Sequence, residues 1–471
     1  MQKTNTTEHI PPDAQHRAAA PVEPYPPPAV AWYATVLLAL LYWISLLDRT
    51  IISLMVDPIK RDLGISDVQF GMLHGLAFAV TFCAFGLVAG ALADRVNRRR
   101  VIYLCVTIWS LATAACGIAQ NFFHMMIARV TVGVGEAGLN PCATSMITDL
   151  FPKHRLTLAL AVYSMGASVG AGCAFLFGGM LIEFVNQQPI LTLPVIGKLR
   201  AWQAVFLIIG LPGALIAFSV LSIPEPIRRG IRSRSPSTVR TDGLLNGYKD
   251  LMQFIAERPQ FFFYHFVGFG LASMGFAGGN AWYAAHLARK FGWGAGDIGL
   301  GLGISMIVAG LLGKTLCGLA VDRLFGKGYR DAQFRWYASC LVVATPIAIF
   351  ASVSDDVWIF LSGITLMVML LSPLTALYVA ALNLVTPNEL RGVAVALYSA
   401  LAGLIALSLG PIVIAAASDY LYGGDQIGAG LATLYALSYP AAAWALWKGR
   451  HAMHLAVEEA ASWTDGRAEP D

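Results

Sequence analysis

Charged side chains are scarce in this chain of 471 residues, of which Asp, Glu, Lys and Arg together make up 13%. Soluble domains carry about 25% charged residues, so the composition excludes a water-soluble globular protein. Hydrophobic residues make up 57% of the chain. They recur in apolar stretches of about 20 residues, the length of helix that crosses the hydrocarbon core of a bilayer. The sequence therefore predicts an all-α integral membrane protein that crosses the bilayer many times.

Residues with the spacing of catalytic or metal sites are missing from the sequence. The seven cysteines fall in apolar stretches without C-x-x-C spacing, which indicates small core residues rather than disulfides or metal ligands. There is neither a cluster of metal ligands nor a nucleophile with a base beside it, so we predict no enzymatic activity, no catalytic residue, no metal and no cofactor. "GVGEAG" at 133–138 matches the dinucleotide-binding pattern but lies inside an apolar helix, where glycines allow close helix packing.

Twelve apolar stretches predict twelve transmembrane helices, and a polar gap after the sixth divides them into two pseudo-symmetric six-helix halves. We place them at roughly residues 33–56, 69–93, 101–119, 122–150, 156–184, 201–222, 260–288, 297–320, 333–353, 356–386, 391–420 and 428–447. The predicted domains are a disordered tail (1–32), the first bundle (33–222), a linker with an amphipathic helix (223–259), the second bundle (260–450) and a second tail (451–471).

Basic residues indicate the orientation, because lysine and arginine concentrate in cytoplasmic loops. Most of the 32 lysines and arginines fall in the two tails, the central gap and the loops on the same side of the membrane. We therefore predict that both termini are cytoplasmic. The basic run "IRRGIRSRSPSTVR" in the central gap has the same explanation, so we predict no nucleic-acid partner.

The two predicted halves repeat each other at equivalent places. "GALADR" at 90–95 follows the second helix and "GLAVDR" at 318–323 follows the eighth, and both read G-x-x-x-D-R. "AVYS" at 161–164 follows the fourth helix, and "ALYS" at 396–399 follows the tenth. Such a duplicated six-helix unit is the architecture of transporters of the major facilitator type, whose substrate site lies between the halves.

"GALADRVNRRR" at 90–100 resembles the cytoplasmic loop signature of the major facilitator superfamily, G-x-L-a-D-r-x-x-r-[RK]-R. The resemblance implies that this loop and its second copy form a conformational latch between the two halves. A carboxylate can cap a helix N-terminus and an arginine can bridge to backbone carbonyls, which gives such a latch a physical basis. The latch residues implied in this way are Gly90, Asp94, Arg95, Arg98, Asp322 and Arg323.

Three further stretches are similar to the Spinster family of this superfamily. They are "LDRTIISLMVDPIKRDLGISDVQFGML" at 47–73, "ARVTVGVGEAGLNPCATSMITDLFPKHR" at 128–155 and "YSMGASVGAGCAFLFGG" at 163–179. Spinster proteins are implicated in moving sphingosine-1-phosphate, lysophospholipids and related amphiphiles, several of them with proton coupling. The resemblance therefore implies a lipid-like substrate and coupling to protons. The short loops and compact length indicate a member from a bacterial inner membrane.

Four charged residues lie inside predicted helices, where an ionisable group costs about 2.5–3.5 kcal/mol by insertion scales. Asp48 and Arg49 lie in the first helix, and Arg129 and Glu136 lie on one face of the fourth. Because such groups face a partner or a wet cavity, we predict that the four bind substrate and that Glu136 or Asp48 exchanges a proton. The alternative is that they only hold the two helices together. His74 in the second helix is either a further titrating group or a buried structural histidine.

Depth along the helices predicts which charges pair. Asp48 lies about 21 Å above the cytoplasmic end of its helix, and Arg129 lies about seven residues below the outer end of a helix that runs the other way. In a core of about 30 Å the two are at nearly the same height. We therefore predict an Asp48–Arg129 pair, with Glu136 unpaired below it. Arg49 points about 100° away from Asp48 and has two alternatives, an anionic head group or a pair with Glu136.

The second half offers polar residues of a different kind. Asn280, Tyr283 and His286 recur at i, i+3 and i+6 on the seventh helix, and Tyr378 and Asn383 lie on the tenth. We predict that these five line the cavity among apolar and aromatic neighbours. A cavity that is charged on one wall and apolar on the other suits an amphiphile whose head group binds the first half.

These observations predict a secondary active transporter that moves a sphingolipid- or lysophospholipid-like amphiphile by alternating access, coupled to protons. Its expected partners are this amphiphile, protons and membrane lipids, and we expect a monomer. A proton-coupled exporter of drugs or organic anions is the alternative within transport. A membrane-embedded sensor is the alternative from another class of protein.

Overall fold

The first half consists of nine helical segments and one hairpin in the computed structural model, which describes residues 24–93, 96–187, 190–193, 197–228 and 242–461. The helices are α1 (Pro28–Ile51), α2 (Val56–Leu63), α3 (Asp67–Gly71), α4 (Ala77–Ala93), α5 (Arg98–Cys116), α6 (Phe122–Glu136), α7 (Leu139–Leu150), α8 (Lys153–Asn186) and α9 (Ala201–Ile216). Short 3₁₀ or π turns at Ile52–Met55 and Met72–Leu76 join α1 to α2 and α3 to α4, and a 3₁₀ turn at Ala217–Ser222 continues α9.

The second half begins after the linker and contains eight helices. They are α10 (Asp242–Glu257), α11 (Pro259–Phe291), α12 (Ala295–Gly326), α13 (Ala332–Val353), α14 (Val357–Leu371), α15 (Leu374–Val385), α16 (Asn388–Ala416) and α17 (Ile427–Ala461), with a π turn at Ala417–Leu421. The amphipathic helix predicted for the linker is α10, which packs on α11 and α16 through buried Leu251 and Phe254 and exposes Met252.

Ten helical segments within the described residues are long and apolar enough to cross a membrane, judged by length and composition. The fourth and the twelfth predicted spans are helical as well but do not meet this criterion. The fourth is divided into α6 and α7, of 15 and 12 residues, and the twelfth lies within α17. The domain boundaries drawn from the sequence stay predictions, and residues 1–23 and 462–471 of the two tails lie outside the described residues.

A short antiparallel hairpin joins α8 to α9. In it β1 (Ile190–Leu193) pairs with β2 (Gly197–Arg200), so that Ile190 lies opposite Arg200. Arg200 forms an ion pair with Asp62 of α2, whose second carboxylate oxygen accepts the indole N–H of Trp202 at 2.5 Å. The hairpin is thus fastened to the end of α2.

The molecule has two faces, which we name by the chain segments that lie there. The terminal face carries the start of α1 and the ends of α9 and α17, and the distal face carries the turn from α2 to α3 and the end of α11. At the distal face Gly64 ends α2 in the left-handed conformation (φ 64°), which glycine adopts without steric cost. Ser66 then begins α3 with a capping box, in which Gln69 N donates to Ser66 Oγ at 3.1 Å and Ser66 N donates to Gln69 Oε1 at 2.9 Å.

The apolar core is continuous between the halves at the distal face and separate at the terminal face. One cluster of buried side chains fills the second half and extends into the distal ends of first-half helices, where it includes Ile51, Phe70 and Phe206. The terminal part of the first half has a cluster of its own, which includes Leu38, Trp109 and Ile147. The two halves are therefore joined at the distal face.

Close backbone contacts accompany this junction. α8 of the first half lies against α12 of the second, and a Cβ on Gly179 would lie 2.8 Å from Gly299 Cα. The segment that joins α3 to α4 lies against α16, and a Cβ on Gly75 would overlap the Leu407 carbonyl oxygen. Only glycine fits at these positions, because another residue would place its side chain inside the neighbouring helix.

We predict that Gly75→Val moves the distal ends of the halves apart. The added side chain meets a backbone carbonyl that cannot yield without displacing α16, and overpacking of this kind costs about 1–3 kcal/mol. The measurement is the spin-label distance between cysteines at Gln120 and Asp355, exposed on distal loops of opposite halves, in a background free of the seven native cysteines. Gly86→Val is the control, because nothing lies within 4 Å of a Cβ there. Equal distance distributions for the two variants would contradict the prediction.

Candidate functional site

The four charged residues predicted inside the helices lie together in the first half, and we call them the charged cluster. Asp48 and Arg49 belong to the last turns of α1, and Arg129 and Glu136 belong to α6. The other three groups lie close enough to Asp48 to interact with its charge. Asp48, Arg129 and Glu136 are each only 1% exposed, whereas the Arg49 side chain keeps 24% of its surface exposed.

Arg49 forms the ion pair of the charged cluster with Glu136. Its Nε donates to Glu136 Oε2, and Ser45 Oγ donates to the same oxygen at 2.7 Å. Ser45 precedes Arg49 by four residues, so the two side chains lie on the same face of α1. Of the two alternatives that the sequence left for Arg49, the pair with Glu136 is therefore the one formed here.

Two aromatic rings of α4 also pack against the guanidinium of Arg49. Its central carbon lies 4.6 Å from the ring centroid of Phe78 and 4.5 Å from that of Phe82. The two rings stack on each other with centroids 5.1 Å apart. The negative face of an aromatic ring attracts a cation, so Arg49 is fixed by the carboxylate and by both rings.

The predicted Asp48–Arg129 pair is wrong. Thr113 Oγ1 of α5 donates to Asp48 Oδ2, and no ion pair within 4.0 Å joins Asp48 to Arg129. Asp48 Oδ1, Glu136 Oε1 and two nitrogens of Arg129, Nε and Nη1, are buried without a hydrogen-bond partner in the protein. The two residues can lie at equal height on their helices and still not meet, because height does not determine the direction in which each side chain turns. Three of the four members of the charged cluster therefore keep at least one buried polar atom without a partner.

His74 lies next to Arg129 of the charged cluster. It belongs to the π turn between α3 and α4 and is close enough to Arg129 to interact with its charge. Whether it titrates stays a prediction. Nowhere in the described ranges do three or more His, Cys, Asp or Glu side chains gather in a group that could hold a metal ion.

Two of the five predicted cavity residues lie elsewhere in the second half. Tyr283 is completely buried, and its hydroxyl is 2.7 Å from the hydroxyl of Tyr435. His286 is 2% exposed, packs against Phe360 with ring centroids 4.7 Å apart and borders a polar cavity of about 900 Å³ at the distal face. The helical spacing was not sufficient to predict a common cavity face, because three and six residues beyond Asn280 the side chains of α11 are buried in the bundle.

The other three predicted cavity residues keep part of their surface accessible. Asn280, Tyr378 and Asn383 are all partly exposed, and Asn280 Nδ2 donates to the Phe276 carbonyl of its own helix at 3.1 Å. The Tyr378 hydroxyl lies 3.2 Å from the hydroxyl of exposed Ser399. These positions are compatible with a cavity wall, and that role stays a prediction.

The repeated "AVYS" and "ALYS" segments place equivalent tyrosines in the two halves. Tyr163 of α8 stacks on Tyr42 of α1 with centroids 5.3 Å apart, and its hydroxyl donates to Asn140 Oδ1 at 2.5 Å. Tyr398 of α16 packs against Tyr378 of α15 at 4.4 Å. Each half therefore presents a pair of tyrosines, of which Tyr42 and Tyr378 are partly exposed.

Arg98, one of the predicted latch residues, is buried inside the first half. Its guanidinium donates to Asp149 Oδ2 at 2.5 Å, to Glu225 Oε1 at 2.9 Å and to the Pro226 carbonyl at 2.9 Å. It thereby fastens α5 to α7 and to the segment that follows α9. None of these partners belongs to the second half, so the latch between halves is not formed through Arg98 here.

The other predicted latch residues are Gly90, Asp94, Arg95, Asp322 and Arg323. Asp94 and Arg95 lie outside the described residues, and no side-chain surroundings are described for Gly90. Asp322 and Arg323 are exposed near the terminal end of α12. Their role in a latch stays a prediction.

A group of ion pairs that connects the two halves within the described residues lies at the distal face and centres on Arg289 of α11. Arg289 donates to both carboxylate oxygens of Asp67 at 2.7 and 2.8 Å and to Asp57 Oδ1 at 2.8 Å, while Lys60 also pairs with Asp67. Asp425 of the second half lies 3.4 Å from Arg289. We call this set the distal ion bridge. Because Asp57, Lys60 and Asp67 belong to the first half, it holds the distal ends together.

Sequence reasoning missed the distal ion bridge and the uncharged partners of the charged cluster. The sequence placed Arg289 in a loop among other basic residues, with no signal that it would meet acids more than 200 positions away. Ser45 could have been found, since it precedes Arg49 by one helical turn. Thr113 could not, because nothing in the sequence links it to Asp48.

Comparisons with known proteins extend over most of the chain. The Major Facilitator Superfamily model matches residues 38–411. An MFS-type efflux pump of Mycolicibacterium smegmatis is 27% identical over 409 residues, which cover 85% of this chain and 87% of that protein. A probable sphingolipid transporter of Arabidopsis thaliana, spinster homolog 2, is 30% identical over 190 residues, which cover 40% of this chain and 35% of its own length.

A solved structure is similar along nearly the whole chain. The crystal structure of a bacterial homologue of the human lysosomal transporter Spinster, in an inward-facing and unoccupied conformation, has a TM-score of 0.75. Its sequence identity is 24%, and the match covers 94% of this chain and 100% of that one. The predicted fold and the resemblance to Spinster proteins are confirmed by these findings.

We predict that Asp67→Asn weakens the distal ion bridge and increases the fraction of molecules whose distal ends are apart. The Asp67 side chain is 1% exposed and accepts from both Arg289 and Lys60, and a hydrogen bond to a charged group contributes about 1.5–3 kcal/mol. Spin labels at Gln120 and Asp355 measure the change.

Asp425→Asn is the matched control for this substitution. The Asp425 side chain is 87% exposed and lies 3.4 Å from Arg289, and exposed ion pairs of this kind contribute about 0–1 kcal/mol. We expect its distance distribution to match that of the unsubstituted chain. An Asp67→Asn distribution that also matches would show that the bridge does not hold the distal ends.

Proposed function

Since the chain belongs to the Major Facilitator Superfamily of membrane transporters, we propose that it carries a lipid-like amphiphile across the membrane by alternating access, coupled to protons. The observation that carries the proposal is the environment of Arg49. It is the one member of the charged cluster with substantial exposed surface, and the stacked rings of Phe78 and Phe82 lie directly against it. An exposed cation on an aromatic pair suits a molecule with an anionic head group and an apolar body.

The arrangement of the halves supports alternating access. The distal ion bridge and the shared apolar core close the distal face, whereas the cores are separate at the terminal face. We place the protein in a bacterial inner membrane with both termini in the cytoplasm, in agreement with the positive-inside distribution of basic residues. In that orientation the closed distal face is the outer one, which agrees with an inward-facing conformation such as that of the solved Spinster homologue.

In this proposal, transport is coupled to protons because the head group of the substrate and the carboxylate of Glu136 compete for Arg49. A head group that binds Arg49 displaces Glu136, which is 1% exposed and has Ser45 as its other partner. An unpaired buried carboxylate is costly in the membrane interior, so Glu136 takes up a proton when Arg49 turns to the substrate. Binding of substrate and binding of a proton then favour each other. Asp48, with one unsatisfied oxygen beside the same groups, is the second candidate for the proton site.

A proton-coupled exporter of drugs or organic anions is the second candidate function. It is favoured by the similarity to the mycobacterial efflux pump, which extends over 85% of this chain. Competition experiments in proteoliposomes separate the two candidates, because a lysophospholipid would displace the substrate of a lipid transporter and a small cationic drug would not. Flux that depends on ligand and is lost in Asp48→Asn would exclude a sensor that transports nothing.

We predict that Glu136→Gln removes the effect of a pH gradient on transport. Glutamine keeps the hydrogen bond from Ser45 but can neither take up a proton nor pair with Arg49. The measurement is uptake into proteoliposomes with and without a pH gradient. Asp48→Asn is measured in parallel to decide between the two acids. If Glu136→Gln transports with unchanged pH dependence, Glu136 is not the coupling acid.

We predict that Arg49→Ala weakens binding of an anionic lysophospholipid about ten- to a hundredfold, because a charge-assisted hydrogen bond contributes about 1.5–3 kcal/mol. Arg49→Lys keeps the positive charge but replaces the planar guanidinium and its several N–H donors by an ammonium group, so we expect an intermediate affinity. Arg61→Ala, at an exposed arginine of the distal face, is the control. Mass spectrometry of lipids that co-purify with each variant, and with Arg129→Ala, provides a second measurement. Affinity unchanged in Arg49→Ala would exclude Arg49 as the head-group contact.

A further inference from the structure

A groove between α13 and α17 opens on the outer surface of the second half, away from the charged cluster. Its volume is about 400 Å³, and its lining includes Val342 and Pro346 of α13 and Pro440, Trp444 and Lys448 of α17. Apart from Lys448 the lining is almost wholly apolar. From Lys448 to Pro440 the groove follows α17 for eight residues, or about 12 Å at the helical rise. It therefore begins near the terminal face and runs toward the middle of the bundle.

The equivalent helices of the first half, α5 and α9, lie against each other. Like α17, α9 contains a proline inside the helix, Pro212. There the helices approach through glycines, since a Cβ on Gly210 would lie 2.6 Å from the Ser110 carbonyl oxygen. In the second half α13 and α17 also pack along each other, and at their outer edge Trp444 is left 57% exposed. This exposed tryptophan forms part of the groove wall.

The terminal end of the groove carries positive charge. Lys448 is exposed and makes no ion pair with any residue in the described part of the chain. The guanidinium of Arg450 lies 3.5 Å from the ring centroid of Trp447, another lining residue. Asp331 is the acid nearest to Arg450, at 4.0 Å, and Arg335 already pairs with it at 3.0 Å. The cations at this end therefore outnumber the acid.

We propose that this groove binds one anionic phospholipid, with an acyl chain between α13 and α17 and its phosphate at Lys448. Exposed apolar and aromatic walls about 12 Å long suit an acyl chain, and tryptophans mark the level of the lipid head groups. An unpaired lysine at that level selects for negative charge, as basic pockets between transmembrane helices do on the cytoplasmic side. The site is independent of the proposed substrate, because neither helix contributes to the charged cluster.

Native mass spectrometry of the delipidated full-length protein, titrated with phosphatidylglycerol or phosphatidylcholine, tests this proposal. We expect the unsubstituted chain to retain one phosphatidylglycerol in preference to phosphatidylcholine. Lys448→Ala should weaken phosphatidylglycerol binding roughly fivefold, and Lys448→Arg should restore it. Val342→Trp, which fills the groove at a lipid-facing position that is 62% exposed, should weaken binding of the lipid without removing any charge. Glycerol phosphate, which has the head group but no acyl chain, should not compete.

Two control variants decide where the lipid lies. Lys327→Ala removes an exposed lysine beyond the terminal end of α12, away from the groove, and should leave binding unchanged. Arg49→Ala should also leave it unchanged, because Arg49 lies in the first half. Equal binding of the two lipids, or full binding in both Lys448→Ala and Val342→Trp, would overturn the proposal. Loss of binding in Arg49→Ala in place of Lys448→Ala would locate the lipid between the halves and overturn it as well. Unfolding temperatures of all variants identify any that are misfolded.

Discussion

A charge inside an apolar helix bundle must find a partner, because an unpaired one costs several kcal/mol in the membrane interior. This constraint shapes the first half of the molecule. Glu136 ties α6 to Arg49 of α1, and Thr113 ties α5 to Asp48 of the same helix. Arg129 is buried with two nitrogens unsatisfied. The cluster thus holds three helices together while leaving buried polar atoms that have no partner within the protein.

A second constraint acts between the halves, because the same contacts at the distal face hold both of them together. At the distal face these are ionic and apolar at once, since Arg289 meets Asp67 close to the point where Phe70 packs against Trp282 with ring centroids 5.9 Å apart. Opening this face would separate the buried ion pair and the apolar core in one step. Such combined contacts favour two discrete arrangements over a continuous series, because neither set of contacts can be kept when the other is lost.

Much of the fold could be read from the sequence, because apolar length, basic loops and repeated motifs are local patterns. Helix length and composition placed the spans, and the spacing of Arg129 and Glu136 on one face placed them in one cluster. The ion pairs within the charged cluster could not be predicted from the sequence, because they depend on how α1 and α6 are rotated about their axes. Tyr283 shows the same limit, because its position on α11 was clear but the packing of Tyr435 against it was not. The distal ion bridge joins residues 222 positions apart, beyond any local pattern.

The order of the charged residues along the chain has a consequence for biosynthesis. Asp48 and Arg49 leave the ribosome first, while Thr113 follows Asp48 by 65 residues and Glu136 follows Arg49 by 87. α1 must therefore enter the bilayer with both charges unpaired, at about 2.5–3.5 kcal/mol each. The six leucines between residues 37 and 47 offset part of this, at about 0.3–0.6 kcal/mol each. α1 therefore makes these contacts only after α5 and α6 have been synthesised, and the charged cluster forms late relative to the insertion of its first helix.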